Sequence, residues 1–349
     1  MSNKINSLET LRGIAALMVA LYHYPSTSFL YFKDGFLAVY FFFSLSGFVI
    51  TLNYFNKINN FNDLIRFQTR RFFRLYPVHL LLLLTVLCIQ FLKLIALKFL
   101  NLDSTSYAFS PVNIFSLTDF FQHIFLTQSI TNFGNFLSWN SVAWTISAEF
   151  YAYLIFGLLT LIVRRNKKIF IILLLLYILF DEFITLSLKY YINSVFLNCL
   201  FYFSIGSIVY FIYEKTKFRI NDFYFIIFLL IVISYNKIFY LNNAILFAVF
   251  IYLILIIKHN TILFKCLNFS PLVYFGTVSY SFYMIHQSVL YLYIQSLKFI
   301  FGINFNNMSG VTTDTGNPYY DTLIMLSYIA ISLFIASFIY KFVEQKFRR

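Results

Sequence analysis

The sequence predicts an all-α, polytopic integral membrane protein with about ten transmembrane helices, and three observations lead to this fold class. Hydrophobic residues make up 60% of the 349 residues and charged residues only 11%. The mean hydropathy is +0.78. The apolar residues, with 48 Phe and 28 Tyr among the whole chain, also gather in long runs. This composition is typical of a chain that places most of its helices in lipid.

The apolar runs predict a single membrane domain covering residues 1–349. Most of them are long enough to cross a hydrocarbon core of about 30 Å. The seventh and eighth are shorter, about 15 residues, and are expected to be tilted or re-entrant. The predicted spans are residues 8–27, 36–53, 76–98, 142–163, 169–187, 193–213, 221–235, 243–257, 272–298 and 321–341.

The positive charges predict the orientation of these spans. If the spans alternate in direction, most of the 26 Lys and Arg residues lie in loops on the same side as the N-terminus. By the positive-inside rule this side is the cytoplasm, so both termini are expected there. The net charge of +13 would suggest a nucleic-acid partner in a soluble protein. Here it is explained by topology and by attraction to anionic headgroups of the bilayer, and no nucleic-acid partner is predicted.

The longest interruption between spans runs from residue 101 to residue 141. It contains aromatic residues together with Asp119 and His123. This mixture predicts an exported loop that carries an amphipathic or half-inserted helix. His79 and His259 fall near cytoplasmic ends of spans, where packing at the interface is the simpler interpretation. The three cysteines are scattered without paired spacing, so neither a metal site nor a disulfide framework is predicted.

The first span contains two ionisable residues, Arg12 and His23. Ionisable groups at this depth are candidates for function. Eleven residues correspond to about three helical turns, so both side chains are expected on one face, about 16 Å apart along the axis. One helix face would therefore join the cytoplasmic surface to the membrane interior.

A dense cluster of arginines precedes Pro77 in the run RFQTRRFFRLYP. Helical spacing places Arg70 and Arg74 on one face and makes Arg71 a neighbour of Arg74. These guanidinium groups can clamp a phosphate-rich ligand through their fork geometry. An ordinary topology-determining cluster is the alternative interpretation.

Two further spans contain polar groups that a passive span does not need. In the fourth, Trp139 suits an aromatic belt at the membrane surface, whereas Trp144 and Glu149 lie deeper. Glu149 must face the protein interior and needs a partner such as His23 or an arginine. In the ninth, His286 is either a hydrogen-bonded packing residue or a member of the site.

These segments resemble the acyltransferase 3 family of integral-membrane acyltransferases, which modify surface polysaccharides and related acceptors. The first segment is similar to the family's opening LxxLRGxAAxxVxxxH, with Arg12 and His23 on its Arg and His. Arg71 and Arg74 match the family's paired arginines. The resemblance extends along the chain through LETLRGIAALMVALYHY, FLAVYFFFSLSGFVIT, RRFFRLYP, WTISAEFYAYLIF, SYSFYMIHQSV and YKFVEQKFRR. Without an added esterase-like domain, the chain resembles the stand-alone form.

The resemblance implies a multi-pass protein of the bacterial cytoplasmic (inner) membrane. It implies acyl-CoA, by family habit acetyl-CoA, as a co-substrate on the cytoplasmic side, with no permanently bound cofactor. The acceptor is expected to be a hydroxyl of a cell-surface polysaccharide, such as lipopolysaccharide, or of its lipid-linked precursor.

Chemistry then assigns roles to the candidate residues. Transfer to a hydroxyl needs a general base, which His23 can supply. Glu149 is expected to orient His23 or steady its imidazolium. Arg12 is expected to hold the donor's phosphates or polarise its thioester, with Arg70, Arg71 and Arg74 adding to the clamp. The last two candidates, for acceptor binding or support, are Trp144 and His286.

Two other classes of function compete with acyl transfer. A transporter or translocator of a sugar or lipid-linked sugar would also have about ten spans with buried His and Glu residues. It would be expected to show inverted repeats and paired helices broken by Gly or Pro, which this sequence lacks. A receptor or scaffold would not need Arg12, His23 and Glu149 within the membrane.

Overall fold

The computed structural model describes residues 5–26, 34–100, 116–236, 243–303, 305 and 314–347, and these residues form helices joined by short connections. The described part of the chain contains no β-strand, only an isolated parallel bridge between Ile220 and Ile257. A short 3-10 turn, Ser141–Ala143, leads into α5. The helices are α1 Asn6–Tyr22, α2 Leu37–Tyr54, α3 Phe61–Leu100, α4 Leu117–Phe125, α5 Trp144–Ile162, α6 Lys167–Leu188, α7 Ser194–Lys215, α8 Asp222–Asn236, α9 Asn243–Leu255, α10 Ile262–Leu267, α11 Ser270–Phe299, α12 Pro318–Ile339 and α13 Gln345–Phe347.

Six of the described helices are long and apolar enough to cross a membrane. They correspond to six of the predicted spans and confirm the all-α, multi-pass class. The other four predicted spans coincide with α1, α8, α9 and α11. The first three of these have 17, 15 and 13 residues, and α11 is long but interrupted by Ser, Thr, Tyr and His. The orientation of the termini stays a prediction.

Helix α6 shows most directly that parts of the molecule face lipid. Its 22 residues include large apolar side chains that are exposed in the structure, among them Leu179 and Phe183 at 74% and 70%. A helix that faces water carries polar residues on its outer side. Lipid therefore explains this surface, and water does not.

Helix α3 begins earlier than the predicted third span, residues 76–98. It starts at Phe61 and contains 40 residues, about 60 Å of helix. The arginine cluster is therefore part of this helix, and Pro77 lies inside it. The extension is possible because no helix breaker precedes Pro77 between residues 61 and 76, and Asp63 in the first turn suits the positive end of the helix dipole.

Helix α4 confirms the amphipathic helix expected within residues 101–141, of which residues 101–115 lie outside the described part. Ser116 caps its N-terminus by accepting a hydrogen bond from the backbone N–H of Asp119 (3.0 Å). Leu117, Phe121 and Phe125 are exposed on one face, whereas Asp119 and His123 are buried on the other. The apolar face points outward, as in a helix lying against lipid.

The chain divides into two compact units. The first unit comprises Met1–Ala15, Leu37–Arg71 and Ala148–Thr277. Within it α2 and α7 approach closely at two glycines. A Cβ atom on Gly206 would lie 1.8 Å from the carbonyl oxygen of Ser44, and one on Gly47 would lie 2.0 Å from that of Phe203. Small residues of this kind let two membrane helices pack backbone against backbone.

A second close approach in the first unit joins the beginning of α1 to the beginning of α11. A Cβ atom on Gly276 would lie 1.9 Å from the carbonyl oxygen of Glu9, and one on Gly13 would lie 3.0 Å from the backbone nitrogen of Gly276. Thr10 adds a hydrogen bond from its hydroxyl to the carbonyl oxygen of Leu267 (2.7 Å). The helix turn that carries Arg12 is held in place by these contacts.

The second unit comprises Ala16–Phe36, Phe72–Ser147 and Val278–Arg349. Its core includes Phe282 and Tyr328, both fully buried, and Tyr328 stacks on Tyr24 with ring centroids 5.8 Å apart. After α12 the chain forms a π-helical turn, Tyr340–Glu344. Such turns are rare and frequently lie at functional sites.

Candidate active site

His23 stands directly after the last residue of α1, in the second unit. Its backbone N–H still bonds the carbonyl oxygen of Val19 (3.1 Å), so the helical path continues to this residue. Its ring nitrogen Nδ1 lies 2.9 Å from the same oxygen. The carboxyl end of a helix is the negative end of its dipole. An imidazolium formed on His23 would be stabilised there.

His286 on α11 is the second histidine of this site. The structure brings it against His23, with its Nε2 3.1 Å from Nδ1 of His23 and ring centroids 5.1 Å apart. Its own Nδ1 lies 2.5 Å from the carbonyl oxygen of Tyr283. The side chain is fully buried, and the hydroxyl of Tyr328 donates to its backbone carbonyl (3.2 Å). The ring is therefore both enclosed and held at each nitrogen.

One nitrogen of this pair is open. The His23 side chain is half-buried, and within the described part of the chain no group hydrogen-bonds its Nε2. Tyr22 packs its ring edge-on against the imidazole at 5.0 Å. The site therefore offers one fixed imidazole with one nitrogen available to a substrate.

Glu149 on α5 belongs to the first unit, where two hydroxyl groups hold its carboxylate. Ser46 on α2 and Tyr153, one turn further along α5, both donate to Oε1. The two hydroxyls also lie 2.8 Å from each other and are almost fully buried. The carboxylate thus has partners, as a charge in the membrane requires, and these are hydroxyls rather than the expected histidine or arginine.

Sequence reasoning missed both Ser46 and Tyr153. Tyr153 follows Glu149 by four residues, the spacing at which side chains of one helix meet, and this signal was available. Ser46 stands in the apolar motif SLSGF. Nothing in that motif predicts a contact with Glu149, and the close packing of α2, which carries Ser46, against α7 is visible only in the structure.

Arg12 lies on α1 in the first unit and is half-buried. Among the described residues its guanidinium group makes no hydrogen bond and no ion pair, not even with Glu9 on the same helix. A half-buried arginine is costly in a membrane without a partner. This arrangement suits an anionic ligand that supplies the missing charge.

The arginine cluster of α3 has two kinds of members. Arg66 and Arg70 are exposed, whereas Arg71 and Arg74 are half-buried. In the first unit Arg71 donates to the hydroxyl of Tyr54 (2.8 Å), and its guanidinium lies over the same ring, 5.0 Å from the centroid. Arg70 and Arg74 are four residues apart on this continuous helix, as the predicted shared face requires, but they differ in exposure.

Trp144 begins α5 and belongs to the second unit. It is half-buried and meets Phe136 edge to face, with centroids 6.3 Å apart. Trp139 is half-buried and packs on Phe120 of α4, with its indole N–H donating to the carbonyl oxygen of Ser116 (3.2 Å). A role of Trp144 in acceptor binding stays a prediction.

His79 lies near the middle of α3, which starts at Phe61, and it is fully buried. In the second unit it stacks on His123 of α4, with centroids 5.9 Å apart and ring planes 11° apart. Its Nε2–H donates to the carbonyl oxygen of His123 (2.9 Å). Packing is still the interpretation, within the protein interior.

Glu344 in the π-helical turn is a further buried carboxylate. It belongs to the segment YKFVEQKFRR, and the sequence alone assigns it no role. It is 1% exposed, and Ser281 on α11 donates to its Oε2 (2.7 Å). Both residues belong to the second unit. Ser281 precedes His286 by five residues, so this contact ties the C-terminal segment to the helix that carries the site histidine.

The candidate residues are divided between the units, with Arg12, Arg70, Arg71 and Glu149 in the first and His23, Arg74, Trp144 and His286 in the second. The structure brings together His23 and His286. No group of three or more His, Cys, Asp or Glu residues close enough to hold a metal ion occurs among the residues described.

A family model described as an acyltransferase domain matches residues 5–341, nearly the whole chain. Neither the curated proteins nor the solved structures contain a match to this sequence.

Proposed function

The chain belongs to the acyltransferase 3 family, and from this premise we propose that it transfers an acyl group from cytoplasmic acyl-CoA to a hydroxyl of a cell-surface polysaccharide or its lipid-linked precursor. Acyl transfer in the membrane follows from the family. The donor, the acceptor and the preference for acetyl are the proposal. They extend the family assignment to the bacterial cytoplasmic membrane, where activated acyl groups are inside and surface glycans outside.

The observation that carries the proposal is the histidine pair of the second unit. His23 is fixed at Nδ1 by Val19 and His286 and is open at its other nitrogen. A hydroxyl is too weakly acidic to attack a thioester without losing its proton. A fixed imidazole with one accessible nitrogen is the group that can take that proton.

The reaction balances as a general-base acyl transfer. His23 takes the hydroxyl proton as the acceptor oxygen bonds to the thioester carbonyl carbon. The carbon–sulfur bond then breaks, and the thiolate of CoA leaves as the sulfur takes the proton back from the imidazolium. The products are an ester and free CoA, and His23 returns to its neutral form.

The cationic residues are proposed to hold the donor. Arg12 has no partner of its own among the described residues, so an anionic group of the donor can pair with it. If the thioester oxygen lies there, the guanidinium also stabilises the negative charge that develops during attack. Arg71 and Arg74, half-buried on α3, are proposed to bind donor phosphates. That Glu149 orients His23 rests on the sequence alone and stays a prediction.

The experiment that tests the proposal supplies radiolabelled acetyl-CoA to membrane vesicles that contain the protein and its lipid-linked glycans. We expect label on carbohydrate, and we expect mild alkali to release it, as it does from an ester. Vesicles with the His23→Ala variant at equal abundance serve as the control. Sugar uptake or flipping without any label on carbohydrate would support a translocator instead and contradict the proposal.

The acceptor is identified by mass analysis of surface polysaccharide from cells with and without the gene. A difference of one acyl group per repeat unit is expected. Identical glycans from both strains, with the protein present in the membrane, would exclude a polysaccharide as the acceptor.

A further inference from the structure

Four groups of the second unit form one hydrogen-bonded chain, in the order carbonyl of Val19, His23, His286, carbonyl of Tyr283. The contacts are 2.9 Å from the Val19 oxygen to Nδ1 of His23, 3.1 Å from that Nδ1 to Nε2 of His286, and 2.5 Å from Nδ1 of His286 to the Tyr283 oxygen. Each end of the chain is a backbone carbonyl. This determines where the protons lie.

A carbonyl oxygen can only accept a hydrogen bond. Nδ1 of His286 must therefore carry a proton to bond Tyr283, and Nδ1 of His23 must carry one to bond Val19. A neutral imidazole has one N–H, so each ring then has an unprotonated Nε2. The proton on Nδ1 of His23 is shared between the Val19 oxygen and the lone pair on Nε2 of His286.

The arrangement in which Nε2 of His286 carries the shared proton is unfavourable at both ends of the chain. If Nε2 of His286 donated to His23, Nδ1 of His23 would turn a lone pair towards the Val19 oxygen. His286 would then either turn a second lone pair towards Tyr283 or carry two protons as a buried cation. An unsatisfied or repelled polar group in a buried position costs free energy, and a lone buried charge costs more.

From this geometry we infer that His286 is a positioning residue that holds His23 as the Nδ1–H tautomer and so presents the Nε2 lone pair of His23 to the acceptor hydroxyl. The inference rests on the proposed function for its chemical meaning. The arrangement of protons itself follows from the four groups alone. In this role His286 replaces the carboxylate that orients the histidine in many hydrolases, and it does so without a negative charge.

The same contacts serve the charged intermediate. When Nε2 of His23 takes the hydroxyl proton, the imidazolium still donates from Nδ1 to the lone pair of His286 and to the Val19 oxygen. His286 stays neutral because its own Nδ1–H is held by Tyr283. No proton moves along the chain, and the proton taken from the hydroxyl returns from Nε2 to the departing thiolate.

Burial explains why His286 can act as a fixed support. Its side chain is fully buried, and Tyr328 donates to its backbone carbonyl. His23, by contrast, is only half-buried. The enclosed ring orients, and the accessible ring reacts.

Solid-state NMR of the full-length protein in lipid vesicles tests the proton assignment without any activity measurement. The chain has only five histidines, so ¹⁵N-histidine labelling gives few signals, and single variants assign them. Protonated Nδ1 and unprotonated Nε2 are expected for both His23 and His286. A proton on Nε2 of either ring in the neutral state would overturn the inference.

Two variants test the role in turnover. His286→Phe keeps a planar ring but removes the acceptor, and His286→Gln places an amide oxygen near the position of Nε2. The kcat for acyl transfer is expected to fall about 10-fold or more in His286→Phe, within the roughly 10²–10⁴-fold contribution of a general base. The KM values for donor and acceptor should change little, because His286 touches neither. His286→Gln should recover much of the loss.

The outcomes separate this inference from the proposed function. Equal losses in the Phe and Gln variants, or losses that appear only as reduced folded protein, would show a packing role and overturn it. Wild-type protein that has the assigned tautomers but transfers no acyl group to any hydroxyl would refute the proposed function and leave the proton assignment standing.

Discussion

The second unit contains two histidine pairs of different character. In the pair His23–His286 a ring nitrogen of one residue meets a ring nitrogen of the other at 3.1 Å. In the pair His79–His123 the rings lie flat on each other, and the hydrogen bond runs from a ring to a backbone carbonyl. His79 and His123 are both fully buried, whereas His23 is half-buried.

This difference separates a site from a packing contact. The Nδ1 atoms of His79 and His123 are enclosed and have no hydrogen-bond partner within the described residues, so no substrate reaches them. His23 has one nitrogen held and one open. Burial of a histidine alone therefore does not identify a catalytic group. The proposed general base needs one nitrogen that is accessible and another that is restrained, and His23 has both.

The largest effect is expected for His23→Ala. Without the base, kcat for acyl transfer should fall about 10²-fold or more, while the amount of protein in the membrane stays the same. Labelled acetyl-CoA and quantified protein measure both. His259→Ala is the matched control, because His259 is exposed and stacks on Phe264. Wild-type turnover in a well-expressed His23→Ala protein would remove His23 from the mechanism.

His123→Ala, in the fully buried pair His79–His123, is expected to lower stability and to leave turnover nearly unchanged. Removing a fully buried ring leaves a cavity beneath α4 and should lower the free energy of unfolding by roughly 2–4 kcal/mol. Turnover per folded molecule should stay within about twofold. Thermal melts in detergent and kinetics on the same sample measure these effects. Loss of turnover with unchanged stability would give this pair a part in the chemistry.

Substitutions of Glu149, whose carboxylate accepts hydrogen bonds from two hydroxyls in the first unit, are expected to change stability by an intermediate amount. Glu149→Ala leaves the buried hydroxyls of Ser46 and Tyr153 without their acceptor and should cost about 1–3 kcal/mol of stability. Glu149→Gln keeps an amide oxygen for them and should be close to wild type in stability. If Glu149→Gln nevertheless loses turnover, the charge itself is needed. Equal melting temperatures for all three proteins would contradict the network seen here.

A smaller effect is expected from pH. Burial, with neighbouring His79 adding to it, lowers the pKa of His123 on α4 to about 3, whereas an unfolded histidine titrates near 6.5. The unfolded chain therefore binds the extra proton first, and stability is present above pH 6.5 and lost as the pH falls towards 3. The loss is limited to about 1.4 kcal/mol per pH unit. Melts at pH 7 and pH 5 should show a smaller decrease in His123→Phe than in the wild type, and an equal decrease would refute this origin.

The smallest effect concerns the donor. Arg71→Ala should raise the KM for acyl-CoA about 5- to 10-fold with little change in the acceptor KM, because a phosphate contact exists in ground and transition states alike. Arg71→Lys should recover part of it, since the charge stays but the fork is lost. Arg66→Ala is the control, because Arg66 is exposed on the same helix. An unchanged donor KM in folded Arg71→Ala would return the cluster to a role in topology.

Sequence reasoning was most successful where local pattern decides structure. Six of the predicted spans are helices of membrane length, and the helix expected in the loop after α3 is α4. The predicted third span, residues 76–98, covers only part of α3, which begins at Phe61 and contains Pro77 in its interior. The sequence also does not predict that His79 is fully buried, because this burial depends on α4, a helix that follows almost 40 residues later.

The sequence by itself determined the membrane class and the family and supplied the candidate site residues, since composition, helical period and motif spacing are properties of neighbouring residues. Only the tertiary structure decided the partners. His23 and His286 are 263 positions apart, and Ser46 and Glu149 are 103 apart. Hydrogen bonds act over about 3 Å and depend on direction. No local pattern therefore predicts which nitrogen or hydroxyl a distant residue will meet; the packing of the helices decides it.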